Sequence, residues 1–260
     1  MTEKLKDVEI NQKSSMGSQT TQIGVQNVYN GLSVSDVIQT AFSLFEEYYP
    51  QLREEALCVV REMVEKEMEK VQSEDIVSPK PKIAIPILQN ASITDENELR
   101  ILYAKLLASA MDKNTVSIVH PAYVSIINQL SAKDALLLKK IVDINDSIPV
   151  AHVKFTFGDR CLANVPPHFY SPYFKELEDM ENISSCIENL SRLQLINLFE
   201  GNVVAYNYAQ IENDSYIQEQ YEYAKRKNPT RDLKIKVDSY VIQLNDFGKK
   251  FIKVCMSQDV

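Results

Sequence analysis

Three histidines, four cysteines and the acidic run Asp95-Glu96-Asn97-Glu98 are the residues of this chain best suited to chemistry. His120, His152 and His168 would serve as metal ligands or general bases, but none has a second His, Cys or carboxylate at the spacing of a zinc motif. Each lies beside a proline or in a stretch without clear period, so a structural hydrogen-bonding role is expected. Cys58, Cys161, Cys186 and Cys255 are scattered with no CxxC pair, a pattern of free thiols rather than of zinc ligation or a disulfide framework. The stretch "GDRC" at 158–161 places Asp159, Arg160 and Cys161 in a turn, where a nucleophile would still need a base and oxyanion donors from elsewhere. The acidic run is explained by the positive end of the helix it opens. The chain has six glycines and neither GxGxxG nor GxxxxGK[ST], which removes the usual phosphate cradles. The expectation is no catalytic residue, no cofactor, no metal and no small-molecule substrate: a protein that is not an enzyme.

Binding is the remaining class of function. Alternation in "GSQTTQIGVQNVYNGLS" predicts a short polar strand within 17–31, with Gln22, Ile23, Val25, Gln26 and Val28 on its faces. A strand of this kind adds to a second chain through main-chain hydrogen bonds, so a homo-oligomer or a protein partner is expected. Nucleic acid is the alternative. A winged helix would lay "ISSCIENLSRLQL" in the major groove, where Arg192 is its one cation, and Lys225, Arg226, Lys227, Arg231, Lys234 and Lys236 would form a basic wing. The same six residues would equally meet an acidic protein partner.

The elements that position these residues are legible from periodicity and caps. With 36 acidic against 28 basic residues the net charge is −8, which disfavours broad adhesion to DNA or anionic lipid. The first residues lack the apolar run of a signal peptide, and stretches such as "IAIPIL" fall far short of the ~20 residues that span a bilayer. A cytoplasmic location without membrane contact is expected. Ser33 and Asp36 have capping-box spacing ahead of a helix ended by Pro50, and "QLREEALCVVREMVEKEMEK" forms the next. Pro79, Pro81 and Pro86 mark a linker or helix start. Ser92 or Thr94 caps a central core helix with Leu99, Leu102, Leu106 and Ala110 in its stripe. "HPAYVSIINQLSAKDALLLKKIVD" reads as two helices broken at Ser131, which again has an aspartate three residues on. Later come a strand at "VAHVKFTF", a helix at "ISSCIENLSRL", a hairpin of "QLINLF" and "VVAYNY" around Gly201-Asn202, a polar insert from about 211 to 232, the β-run "LKIKVDSYVIQL", and a helix capped by Asn245.

Two blocks, "TDENELRILYAKLLASAMDKNT" with "HPAYVSIINQLSAKDALLLKKI" and "IENLSRLQLI" with "YVIQLNDFGKKFIKVC", resemble the abortive infection alpha family of bacterial and phage-borne proteins. The resemblance covers roughly 82–142 and 183–255. It implies a mostly helical, non-enzymatic protein with a part in defence against phage, and it carries no active site to transfer. Related sequences read Leu-Gly-Leu where this chain has Leu193, Gln194 and Leu195. The combined expectation is a mainly α fold: a polar tail with a short N-terminal β-strand at 1–32, a helical unit at 33–142 and a winged-helix-like α+β unit at 143–260.

Overall fold

Capping boxes open two of the helices as their spacing predicts. In α1 (Val34–Tyr48) the Ser33 hydroxyl accepts from the Asp36 amide at 3.2 Å, and the Asp36 carboxylate accepts from the Ser33 amide at 2.9 Å. These bonds hold the Asp36 carboxyl below the usual carboxylate range. The same reciprocal pair, Ser131 and Asp134, opens α6 (Ala132–Ile144) after the short α5 (Ala122–Ile127). The computed structural model describes residues 33–48, 54–144, 147–177 and 180–256. The N-terminal strand residues Gln22, Ile23, Val25, Gln26 and Val28 lie outside them.

Burial organises the helices around α4 (Asn97–Ala110), which touches α2 (Glu54–Met68), α3 (Pro81–Ile93), α5, α6 and α10 (Asp246–Cys255). Leu99, Leu102, Tyr103, Leu106, Leu107 and Ala110 are all buried, so two faces of α4 are covered. The α4–α10 junction is also polar. Lys105 Nζ donates to Met256 O and Ser109 Oγ to Val254 O, both at 2.8 Å, capping carbonyls at the end of α10. The N-cap of α4 is Glu96. Thr94 instead ends α3, where its hydroxyl donates to Asn90 O at 2.8 Å. Of the prolines expected to mark a linker or helix start, Pro81 begins α3, while Pro86 lies inside it, where burial of Ile83, Ala84, Ile87, Leu88 and Ala91 outweighs the lost backbone bond.

The second half is built on an antiparallel sheet of order β2-β1-β4-β3, from β1 (Ile148–Phe157), β2 (Arg160–Asn164), β3 (Ile196–Glu200) and β4 (Leu233–Leu244). The expectation of a mainly α chain is thereby corrected: ten helices and a four-stranded sheet among the described residues make a mixed α/β fold. Two features of the β part differ from the expectation, one adding a strand and one removing one. Arg160 and Cys161, expected in a turn at 158–161, instead open β2, which folds back on β1 through Gly158 at φ +54°. And β3 pairs with β4 rather than with "VVAYNY", which is not a strand; Val203–Tyr208 hydrogen bonding instead ties that segment to Tyr240 O through the Tyr208 hydroxyl.

Opposite faces of the sheet bury different partners. Ile148, Val150 and Ile242 join the large cluster of the helical layer, together with Ile187 and Leu190 of α7 (Met180–Arg192) and Phe251 and Ile252 of α10. Ala151, Val153 and Phe155 face the other way, against Ile211 of α8 (Ala209–Glu212) and Ile217 of α9 (Ser215–Lys227). The polar insert is therefore helical, and Asp214 caps α9 by accepting from the Tyr216 amide at 3.0 Å. No described helix is long and apolar enough to cross a membrane.

Candidate functional surfaces

A positive φ fixes the exit of α7. Gln194 adopts φ 58°, with its amide bonded to Ser191 O and the Leu195 amide to Leu190 O, both at 3.0 Å, a Schellman closure in which glycine is the usual residue. Leu195 then passes so close to Gly248 of α10 that a Cβ there would lie 1.9 Å from Leu195 O. The turn and the close approach together join α7, β3 and α10.

On α7 Arg192, the cation expected to read a duplex, and its neighbour Asn189 are already bonded within the chain. Arg192 donates to Asn189 Oδ1 at 2.7 and 3.2 Å and to Gln129 Oε1 at 2.9 Å. Asn189 Nδ2 donates to Asp134 Oδ2 at 2.9 Å and to Gln129 O at 3.1 Å. Arg192 stands apart in sequence and in element from the other predicted cations. Lys225, Arg226 and Lys227 end α9, Arg231 follows in the turn, and Lys234 and Lys236 share one face of β4. Lys236 pairs with Asp238 at 3.5 Å. Lys225, Lys227 and Arg231 lie over aromatic rings.

The histidines occupy three different settings. His120 accepts from the Ala122 amide at 3.1 Å. His152 on β1 is buried, opposite Asp238 in the β1–β4 register, with its ring 4.0 Å from that of exposed His168. Its Nε2 has no hydrogen-bond partner. Burial first, then His168 and Lys154, push the His152 imidazole below the ordinary histidine range, so it is neutral near pH 7. Lys154 Nζ meets Asp238 Oδ2 at 2.5 Å and holds that carboxyl low. Among the described residues no group of three or more His, Cys, Asp or Glu is placed to hold a metal. Cys161 is exposed with Sγ 3.7 Å from Asn164 Oδ1, whereas burial drives the Cys255 thiol well up and makes it inert.

Two concave surfaces were not foreseen. The first lies between α6 and α7: about 310 Å³, walled by Leu136, Leu137, Leu177, Ile183 and Cys186, with Lys133, Glu176 and Asn182 at its edge. Leu136 beside it is 46% exposed, the signal for which is the run Leu136-Leu137-Leu138. Consecutive helical positions are about 100° apart, so three leucines in a row cannot all point inward. The second, about 370 Å³, lies between β2 and α9 and is lined by Phe155, Asn164, Gln220, Tyr223, Lys227 and Asn228 among others. Its mark in the sequence is the tyrosine-rich, basic end of the polar insert.

In comparison with known proteins, the model of the family described as abortive infection alpha matches residues 52–255. No curated protein and no solved structure matches the chain.

Proposed function

Because the chain belongs to the abortive infection alpha family, we propose that it is a non-enzymatic defence protein of the abortive-infection type, acting through protein contacts and self-association. The observation that carries this reading is the α6–α7 face, where exposed Leu136 stands next to an apolar groove of about 310 Å³. Leu136 is itself part of the groove wall and stands partly clear of it, so the surface is self-complementary: in a two-fold dimer each Leu136 enters the groove of the other copy. The rim suits the same pairing, since Lys140 and Glu176, 3.0 Å apart, place both signs of charge at one edge. Removing each Leu136 from water contributes about 2 kcal/mol. The segment with Gln22, Ile23, Val25, Gln26 and Val28 serves a different protein partner by strand addition, apart from the dimer contact.

Light scattering on the full chain tests this. The expected mass is twice that of one chain, falling to a monomer for Leu136→Glu. A monomeric wild type, or a variant that dimerises as well, sinks the groove as the contact. A regulator reading duplex DNA through α7 has less support, because Asn189 and Arg192 are engaged inside the molecule.

A further inference from the structure

Residues 225–236, "KRKNPTRDLKIK", hold six basic side chains and one acid, Asp232, in a chain of net charge −8. Such concentration is the electrostatic mark of a polyanion partner rather than of general solubility. The fold brings the run together where α9 ends and β4 begins, at the β1–β2 turn end of the sheet, since Leu233 pairs with Phe157 and Lys234 with Thr156.

What surrounds the charges distinguishes this surface from a solvated loop. Among the described residues Lys225, Lys227, Arg231 and Lys234 meet no carboxylate; three of them lie over rings instead. Lys225 Nζ is 5.7 Å from the Tyr221 centroid, Lys227 Nζ 5.7 Å from Tyr223, and Arg231 Cζ 5.8 Å from Phe157. Two of those rings are open to solvent, Tyr223 at 57% and Phe157 at 41% exposure. Tyr223 and Lys227 also wall the β2–α9 groove, whose volume of about 370 Å³ falls within the range of small-ligand sites. Inside it the Gln220 amide offers a donor and an acceptor, and Asn228 keeps its Oδ1 as an acceptor while its Nδ2 donates to Ala224 O at 3.0 Å, against the apolar Phe155 and Val165.

We propose that this end of the sheet binds single-stranded nucleic acid. Tyr223 and Phe157 are stacking platforms, Lys227, Arg231 and Lys234 neutralise phosphates, and one splayed base enters the β2–α9 groove against the amides. Exposed rings interleaved with cations are what sequence-tolerant single-strand sites use. A duplex offers no free base faces to such rings, and an acidic peptide would use the cations but neither the rings nor the amide-lined groove. The inference goes beyond the protein-contact reading and does not depend on the α6–α7 face.

The test is fluorescence anisotropy of the full chain with labelled oligothymidylate and oligouridylate of about 15 nucleotides, at the upper end of single-strand site sizes. A duplex of equal length and a polyglutamate competitor run in parallel. Binding to either single strand is expected, and preference for one identifies DNA or RNA as the source. Neutralising three phosphates predicts about 20-fold weaker binding for a fourfold rise in salt. Tyr223→Ala and Phe157→Ala should each weaken binding about tenfold, and Tyr223→Phe should restore it. Lys227→Glu with Arg231→Glu should abolish it. The proposal is overturned if neither oligonucleotide binds at low salt, if the duplex binds more tightly than both, or if polyglutamate competes fully while both ring variants bind like wild type. The last result would identify an acidic protein partner.

Discussion

Replacing Gly248 by alanine tests the junction that sets α7. A Cβ at this position would lie 1.9 Å from Leu195 O and 2.8 Å from Leu195 C. Ordinary contact requires about 3.5 Å, so α10 and the α7–β3 turn must separate by roughly 1.5 Å. The obstacle is backbone and cannot rotate aside. Overpacking of this kind costs about 3 kcal/mol, offset by the ~1 kcal/mol that alanine gains over glycine in a helix. The net expectation is a loss of about 2 kcal/mol, seen as a urea midpoint lower by roughly 1 M at unchanged slope. Gly201→Ala is the control. Its Cβ would meet nothing closer than Phe199 ring carbons at 3.6 Å, and a change within about 0.5 kcal/mol is expected. A Gly248→Ala protein as stable as wild type, or more so, would refute the account of how α10 and α7 are joined.

Three further substitutions probe other parts of the same half. Gln194→Gly should stabilise by about 1 kcal/mol, because a non-glycine residue at φ 58° carries steric cost that the Nε2 bond to Ser191 O offsets only in part; an unchanged urea midpoint contradicts this. His152 binds its proton less readily in the folded chain than in the unfolded one. Its contribution to stability is therefore intact above about pH 6.5 and lost as pH falls through the lower folded value. Urea titrations of His152→Gln across that window should show a shallower decline, and parallel slopes would overturn the assignment. Lys154→Met should lower the urea midpoint only slightly at pH 7, since the pair with Asp238 is partly exposed and screened by solvent. The difference should vanish at acid pH as Asp238 is protonated through its lowered pKa; a difference that persists there counts against the ion pair.

Local signals were legible where one short stretch determines the outcome. Ser33 with Asp36, Ser131 with Asp134, and Asn245 ahead of Gly248 all cap as their spacing indicates. The β-formers of β1 and β4 announce their strands. Pairing is another matter: the partner of β3 lies beyond α8 and α9, and no turn signal reports a pairing over that distance. Gly201-Asn202 looks like a hairpin turn, yet the chain after it is held by the Tyr208 hydroxyl rather than by a ladder. Pro86 reads as a breaker because propensity does not count the buried residues on either side of it. Helix α9 was hidden because its inward face, Ile217, Tyr221 and Ala224, is too sparse to stand out among polar neighbours. The two grooves needed the packing of elements, α6 with α7 and β2 with α9, to exist at all. Gln194 was legible as an oddity against the Leu-Gly-Leu expected from the resemblance, and its left-handed φ is the physical content of that oddity.

Whether a protein contact at the α6–α7 face produces defence is decided by plaque formation. A panel of phages is plated on bacteria expressing wild type, Leu136→Glu or no protein, with equal expression of the two forms verified. Fewer plaques are expected with wild type for at least one phage, with plaques restored to the empty-vector level by Leu136→Glu. Equal plaquing with wild type and empty vector across the panel, or full protection by the variant, would contradict defence through this contact.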